Sequence, residues 1–269
     1  RRVGIFLLLF TAACFAQSQE RPALTGIAFV RLYAADAAAS ANFYGKTLGY
    51  DHTTRDGMIV YSVNDAQSLE VVPLPSPAPE ARVAAIGFTT RDVRALLAYL
   101  TAHSVKIDQP LRHGRFAVRD PEGHLVYFVQ QRPASTKTIS PRGASHRIIH
   151  TGFLVKDRAA EDVFWRGILG FRPYWYGGRK DDTIDYVSSQ VPNGTDWIEY
   201  MLNVGPNPNP HQLGSAYHFS LGVAQMSDAV AALARNHCEG PNCTKTQTGR
   251  DGKVQLNLCA ATGLDLFSI

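Results

Sequence analysis

Residues 147–157 read RIIHTGFLVKD, and residues 26–36 read GIAFVRLYAAD. The two stretches are near-copies: apolar, strand-like runs that each end on Asp, with His150 standing where the first copy has Phe29. Self-similarity of this kind marks a duplicated unit and has to be settled before any local reading. Working outward, NFYGKTLGY (42–50) and VFWRGILGF (163–171) follow the two strands at the same distance and share aromatics and a Leu-Gly-aromatic exit. Asp36 and Asp157 sit at matching places before these stretches, where a carboxylate accepts the free N–H groups of a first helical turn. Gly49 and Gly170 supply the left-handed residue that ends a helix and sends the chain into a strand. Each half therefore begins strand, helix, strand.

A second repeat lies inside each half. RVAAIGFTTRDVRALLAYLTAHSVKI (82–107) is a strand followed by an Asp-led helix, and AYHFSLGVAQMSDAVAALARN (216–236) repeats it, with Asp228 inside the helical spacing of Ala, Val and Leu. GRFAVRDPEGHLVYFVQQ (114–131) and GKVQLNLCAATGLDLFSI (252–269) read as hairpins around Gly-containing turns. The fold class is α+β, with four strand-helix-strand-strand-strand modules at about 24–75, 82–131, 147–204 and 215–269. They pair into an N-terminal domain, 24–131, and a C-terminal domain, 147–269, joined by a linker, 132–146, rich in Pro, Ser and Thr. GPNPNPHQLG (205–214) reads as a loop between the third and fourth modules.

The chain has 269 residues, 45% of them hydrophobic and 19% charged, an ordinary globular balance able to bury a sizeable core. Its formal charge of +4 is not concentrated in a basic run, and no aromatic-and-basic ladder points to nucleic acid. Arg1 and Arg2 precede the apolar run GIFLLLFTAACFA and then the polar QSQE, the form of a secretory signal peptide over 1–16 with a mature start at Gln17. Thr11 and Gly4 fit a lipoprotein box and a twin-arginine signal poorly. The run is short for a membrane span, so a periplasmic or extracellular location without a stable anchor is expected. In that setting CEGPNC (238–243) can close as a Cys238–Cys243 disulfide or remain a pair of loop thiols, while Cys259 reads as a small core residue.

The Asp-led helix ending in FY or FW and LGY or LGF, the DPEGH turn (120–124) and the HFSLGV strand (218–223) together resemble the vicinal oxygen chelate superfamily. That superfamily includes glyoxalase I, bleomycin-resistance proteins, fosfomycin-resistance enzymes and extradiol dioxygenases, and the resemblance covers nearly all of the chain after the leader. It implies two tandem domains, each an open sheet barrel around a cleft, with metal ligands on the first and last strands of each module. His150, Glu199 (in DWIEYML) and His218 match ligand positions of the C-terminal half. Two imidazoles and a carboxylate suit one divalent ion, Fe, Mn, Zn or Ni. The fourth place falls on Phe267; either Asp265, two residues earlier, reaches inward on a shifted strand, or a water completes the site. This departs from the four-ligand glyoxalase pattern, and from extradiol dioxygenases, which usually take their carboxylate from this last strand. In the N-terminal half the four places hold Phe29, Glu70, Ala85 and Tyr127, which cannot hold a transition metal; Glu70 is expected to pair with an Arg or Lys.

The implied function is an exported metalloenzyme acting on a small molecule that chelates the ion through vicinal oxygens. Its reaction is either a glyoxalase-like lyase or isomerase step, with Glu199 as the base, or ring-cleaving dioxygenation. A non-catalytic binding protein of the bleomycin-resistance type is the alternative. RPYWYGGRK (172–180) reads either as an edge hairpin or as a wall for a planar substrate, with Tyr174 and Tyr176 as candidate contacts. Asn257, Gln255 and Phe267 are further candidates for the cleft. The fused pair of domains is compatible with a monomer or a homodimer.

Overall fold

The computed structural model describes residues 20–133, 139–259 and 266–268, so the leader (1–16) and Asp265 lie outside the described residues. The first half contributes β1 (Leu24–Ala34), β2 (His52–Arg55), β3 (Met58–Ser62), β4 (Ser68–Pro73), β5 (Val83–Thr90), β6 (Ile107–Arg112), β7 (Arg115–Arg119) and β8 (Leu125–Gln130). The second contributes β9 (Ile148–Leu154), β10 (Arg172–Gly177), β11 (Tyr186–Gln190), β12 (Trp197–Met201), β13 (His218–Leu221), β14 (Thr246–Thr248), β15 (Val254–Cys259) and β16 (Leu266–Ser268). Their orders are β2-β3-β4-β1-β5-β8-β7-β6 and β10-β11-β12-β9-β13-β16-β15-β14. The second order is the first repeated, strand for strand, so the duplication within and between halves is a fact of topology. Both sheets are curved and open, not closed barrels.

Local chemistry produces the connections. Before α1 (Ala37–Ser40), Asp36 accepts from the N–H groups of Ala38 and Ala39. Asp92 does the same ahead of α2 (Val93–Ala102), and Asp157 accepts from Ala160 ahead of α3 (Arg158–Asp162). Both α1 and α3 continue into a π-helical turn, Ala41–Thr47 and Val163–Ile168, a feature the apolar spacing does not reveal. Gly49 and Gly170 then take φ of +76° and +72°, as the Leu-Gly-aromatic exits require. The loop expected at 205–214 contains instead the start of a short helix, α4 (Pro210–Ala216), with a reciprocal capping box between Asn209 and Gln212. The last α-helix among the described residues is α5 (Met226–Arg235), and the loop after it closes through a Cys238–Cys243 disulfide.

The halves are stitched together. Gln67 donates to the carbonyls of Ile27 and Ile148 (3.0 and 2.9 Å) and accepts from the N–H of Ile148. Phe88 packs edge-on against Trp165 and Phe171, so the two cores are continuous. The linker joins in, with Ser140, Ala144 and Ser145 buried and Tyr50 donating to the Ser145 carbonyl.

A polar cluster sits in the same seam. His124 bonds Asp120 through Nδ1 (2.8 Å), and Glu161 of α3 accepts from the Trp165 indole (2.7 Å) and the Glu122 N–H. Burial, then the charge of Asp120, pushes the Glu161 carboxyl up to about 8. Burial lowers His124, but the hydrogen bond and charge of Asp120 outweigh it and raise the imidazole overall. This cluster thus binds protons in the folded chain that the unfolded chain gives up at lower pH, so its contribution to stability falls as pH rises through this window. The urea midpoint of the parent is expected to fall relative to that of Glu161→Gln between about pH 5 and about pH 9. An equally steep profile in that variant would remove Glu161 from the account.

Candidate metal centre

Register builds the site. β12 lies parallel beside β9, with Trp197 opposite His150 and Glu199 opposite Gly152. β13 lies antiparallel on the other side, with His218 opposite Gly152 and Ser220 opposite His150. Side chains alternate along a strand, so His150, Glu199, His218 and Ser220 share one concave face. Gly152 is needed there: a Cβ would stand 2.1 Å from Cε1 of His218, whose ring lies over that bare backbone.

The donors converge. Both histidines are buried, and their Nε2 atoms face each other at 2.9 Å. Glu199 Oε2 is 3.6 Å from His218 Nε2. The Nδ1 of His218 donates to the Ser215 carbonyl in α4 (3.1 Å), which leaves its Nε2 as a lone-pair donor. Ser188 Oγ donates to the other Glu199 oxygen (3.1 Å). His150 stacks on Trp197 at 4.8 Å, and its buried Nδ1 has no hydrogen-bond partner among the described residues. Burial, helped by His218, pushes His150 down to about 3, so the ring is a free base at neutral pH. Burial raises Glu199, but contact with the His218 ring, the nearby His150 ring and the hydrogen bond from Ser188 outweigh it and hold the carboxyl below its usual range.

These residues fit a divalent ion. Ligand atoms about 2.1 Å from a common centre and at right angles lie about 3.0 Å apart, close to the 2.9 and 3.6 Å seen here. Two imidazoles and a carboxylate on one face leave further coordination positions open.

The cleft over this face has a volume of about 450 Å³. Tyr174 and Asn257 line it, as does Gln255. Tyr176 does not: it is 69% exposed and borders an outer recess with Lys180 and Asp181, away from the donors. The expectation for Tyr176 is corrected by a bulge between Pro173 and Trp175, which sets Trp175 opposite Ser188 and lining the cleft, and Tyr176 opposite Val187. The fourth place needs correction too. In the N-terminal half Tyr127 stands opposite Gly87, and in the C-terminal half the matching Ser220 stands opposite Ser268. Phe267 is opposite Phe219, the register place of Val126 opposite Ile86, so Ser268 takes the position first given to Phe267.

Sequence reading missed Lys253, whose Nζ donates to the Tyr174 hydroxyl (2.8 Å) and lies 4.7 Å from the Trp197 ring centre. It missed Ser188 as well, which is the direct cross-strand partner of Glu199. The Asn-x-x-Gln capping box before His218 was a usable signal for the helix that fixes that imidazole.

The N-terminal half shows what replaces the donors. Arg31 occupies the register place of Gly152, and Ala85 that of His218. The Arg31 guanidinium binds Glu70 at 2.6 Å and lies over the rings of Phe29 (5.2 Å) and Tyr127 (5.1 Å). Glu70 thus has its basic partner, and Phe29 forms the aromatic floor of a built-in cation.

A fold of four such modules around a face of this kind defines a class of protein. The chain belongs to the Glyoxalase/Bleomycin resistance protein/Dioxygenase superfamily, whose family model matches residues 26–128 and 147–251. Among solved structures it is similar to homoprotocatechuate 2,3-dioxygenase of Arthrobacter globiformis, with TM-score 0.67 and 16% identity over 95% of this chain and 83% of that one. The 2,3-dioxygenase LapB from Pseudomonas sp. KL28 aligns with TM-score 0.65 and 14% identity over 93% of this chain and 92% of that one. A variant of the B. fuscum homoprotocatechuate enzyme gives TM-score 0.67 and 16% identity, over 93% and 72% of the two chains. At these identities the likeness is one of fold. No curated protein matches the sequence. No helix among the described residues is long and apolar enough to cross a membrane.

Proposed function

We propose that the chain is an exported metalloenzyme whose C-terminal cleft grips a small substrate through two adjacent oxygens, with ring cleavage of a catechol as the reaction. The observation that carries this reading is the convergence of His150, Glu199 and His218 on one face of an open cleft. That donor set is the one used by non-haem Fe(II) oxygenases, because it leaves room for both substrate and dioxygen. The similarity to 2,3-dioxygenases supports it.

A divalent ion held there supplies Lewis acidity to the paired oxygens. The remaining roles belong to the chain. Ser188 holds Glu199 in orientation, and Ser215 fixes the His218 tautomer. Tyr174 and Trp197, tilted 46° to one another, offer apolar ring faces to a planar substrate. Lys253 places a positive charge beside them that favours a phenolate oxygen over a phenol, and its N–H fixes the Tyr174 hydroxyl at Oη.

One observation favours a second reading. Glu199 comes from β12 and not from the last strand, which suits a glyoxalase-like step with that carboxylate as the base. Reconstitution with Fe(II), Mn(II), Zn(II) or Ni(II), elemental analysis, and assays of catechol-dependent oxygen uptake and hemithioacetal turnover separate the two. One ion per chain with oxygen uptake is expected. Hemithioacetal turnover alone selects the second reading, a tightly bound ion with neither activity selects a binding protein, and failure to retain any ion removes the metal site.

Export rests on the form of residues 1–16, and the Cys238–Cys243 disulfide suits an oxidising compartment. N-terminal sequencing of the mature protein is expected to begin at Gln17. Retention of the leader on protein in the cytoplasm would contradict export.

A further inference from the structure

The N-terminal half keeps an open cleft of about 810 Å³, wider than the one over the histidines, although it lacks their donors. Its two buried acids are already neutralised: Glu70 by Arg31 and Asp196 by Arg147 (2.7 Å). The cleft continues into a recess of about 460 Å³ on the β6–β7 hairpin. Arg112, His113 and Arg115 line that recess together with Gln109 and Tyr127, and among the described residues no carboxylate does.

Strand pairing sets Arg112 directly opposite Arg115, across a tight turn in which His113 and Gly114 both have positive φ (+50° and +72°). Like charges directly opposite on neighbouring strands repel, and a purely structural hairpin gains nothing from them. Neither arginine forms an ion pair among the described residues. Asp108, the acid on the same hairpin, is bound to Arg119 (2.8 Å). Arg115 instead rests over the Tyr127 ring at 5.6 Å, and the Tyr127 hydroxyl donates to Gln109 (2.7 Å), so the floor of the recess is held in place.

We propose that this recess binds the oxyanion of a small carboxylate or phosphate ester between Arg112 and Arg115. A shared anion converts their mutual repulsion into two charge-assisted contacts, and the guanidinium fork matches both oxyanion shapes. The site is independent of the donors in the other half.

Isothermal titration of the full chain at low salt tests it, with benzoate, phenyl phosphate and inorganic phosphate as probes. Saturable binding of at least one is expected, weakening as salt is added. Binding by benzoate alone identifies a carboxylate ligand, and binding by either phosphate probe identifies a phosphate ligand. The double variant Arg112→Gln/Arg115→Gln is expected to bind at least about tenfold more weakly, while His218→Ala binds as the parent does. Without ligand, Arg112→Gln is expected to melt no lower than the parent, because a repulsion has been removed. No saturable probe, undiminished binding in the double variant, loss of binding in His218→Ala, or a lower melting temperature in Arg112→Gln would each overturn the proposal.

Discussion

His218→Ala is expected to strip the proposed ion from the protein and, with it, all turnover. The imidazole supplies one of three donors, and its Nε2 is the atom within reach of both others, 2.9 Å from His150 and 3.6 Å from Glu199. Removing an outer contact to a metal ligand costs about 10–100-fold in affinity, so losing the ligand itself must cost more than that. His150→Ala should act alike. Ser188→Ala, which only releases the hydrogen bond that orients Glu199, should fall within the 10–100-fold range. The graded order of the three variants is the informative result, read by elemental analysis after dialysis. Far-ultraviolet circular dichroism of His218→Ala should match the parent, since the matching place in the other half is Ala85 and that sheet forms. An ion retained at full stoichiometry in His218→Ala would place the metal elsewhere.

The fold was legible because the duplication prints itself in chemistry that short-range physics requires. Asp36, Asp92 and Asp157 cap helices for the reason the sequence suggests, and Gly49 and Gly170 take the left-handed conformation that their exits demand. The convergence of His150, Glu199 and His218 was also foreseeable, because the family resemblance put all three at ligand positions. What escaped was anything decided by register or by partners distant in sequence. A one-residue difference separates Phe267 from Ser268, and counting residues along a chain cannot fix strand pairing. A bulge turned Tyr176 away for the same reason. Lys253 meets Tyr174 across 79 residues of chain, and no periodicity announces such a contact. Arg31 was overlooked although it sits two residues beyond Phe29, in the stretch that first revealed the repeat. Its meaning emerges only beside Gly152, whose empty place the His218 ring fills.

Arg31→Met is expected to destabilise the protein by about 3–5 kcal/mol, because it leaves the Glu70 charge buried without a partner. The side chains are only 12% and 6% exposed, so little water reaches the pair to replace the lost guanidinium. The neighbouring rings, Phe29 and Tyr127, offer their faces to a cation and nothing to a carboxylate beyond it. Glu70→Gln in the Arg31→Met background should recover most of the loss, since a neutral amide tolerates the same burial far better than a carboxylate. Urea unfolding of the parent, the single variant and the double variant measures both steps. A single variant within about 0.5 kcal/mol of the parent, the spread expected of an ordinary surface change, would mean that the pair is solvated and that Arg31 is not the structural cation of this half. The expected pattern, a large loss followed by recovery, would instead show two solutions to one problem in the same fold. A carboxylate at the centre of a curved sheet needs a positive partner, and this chain builds one in at Arg31 while leaving the matching space beside Glu199 to imidazole donors and an open cleft.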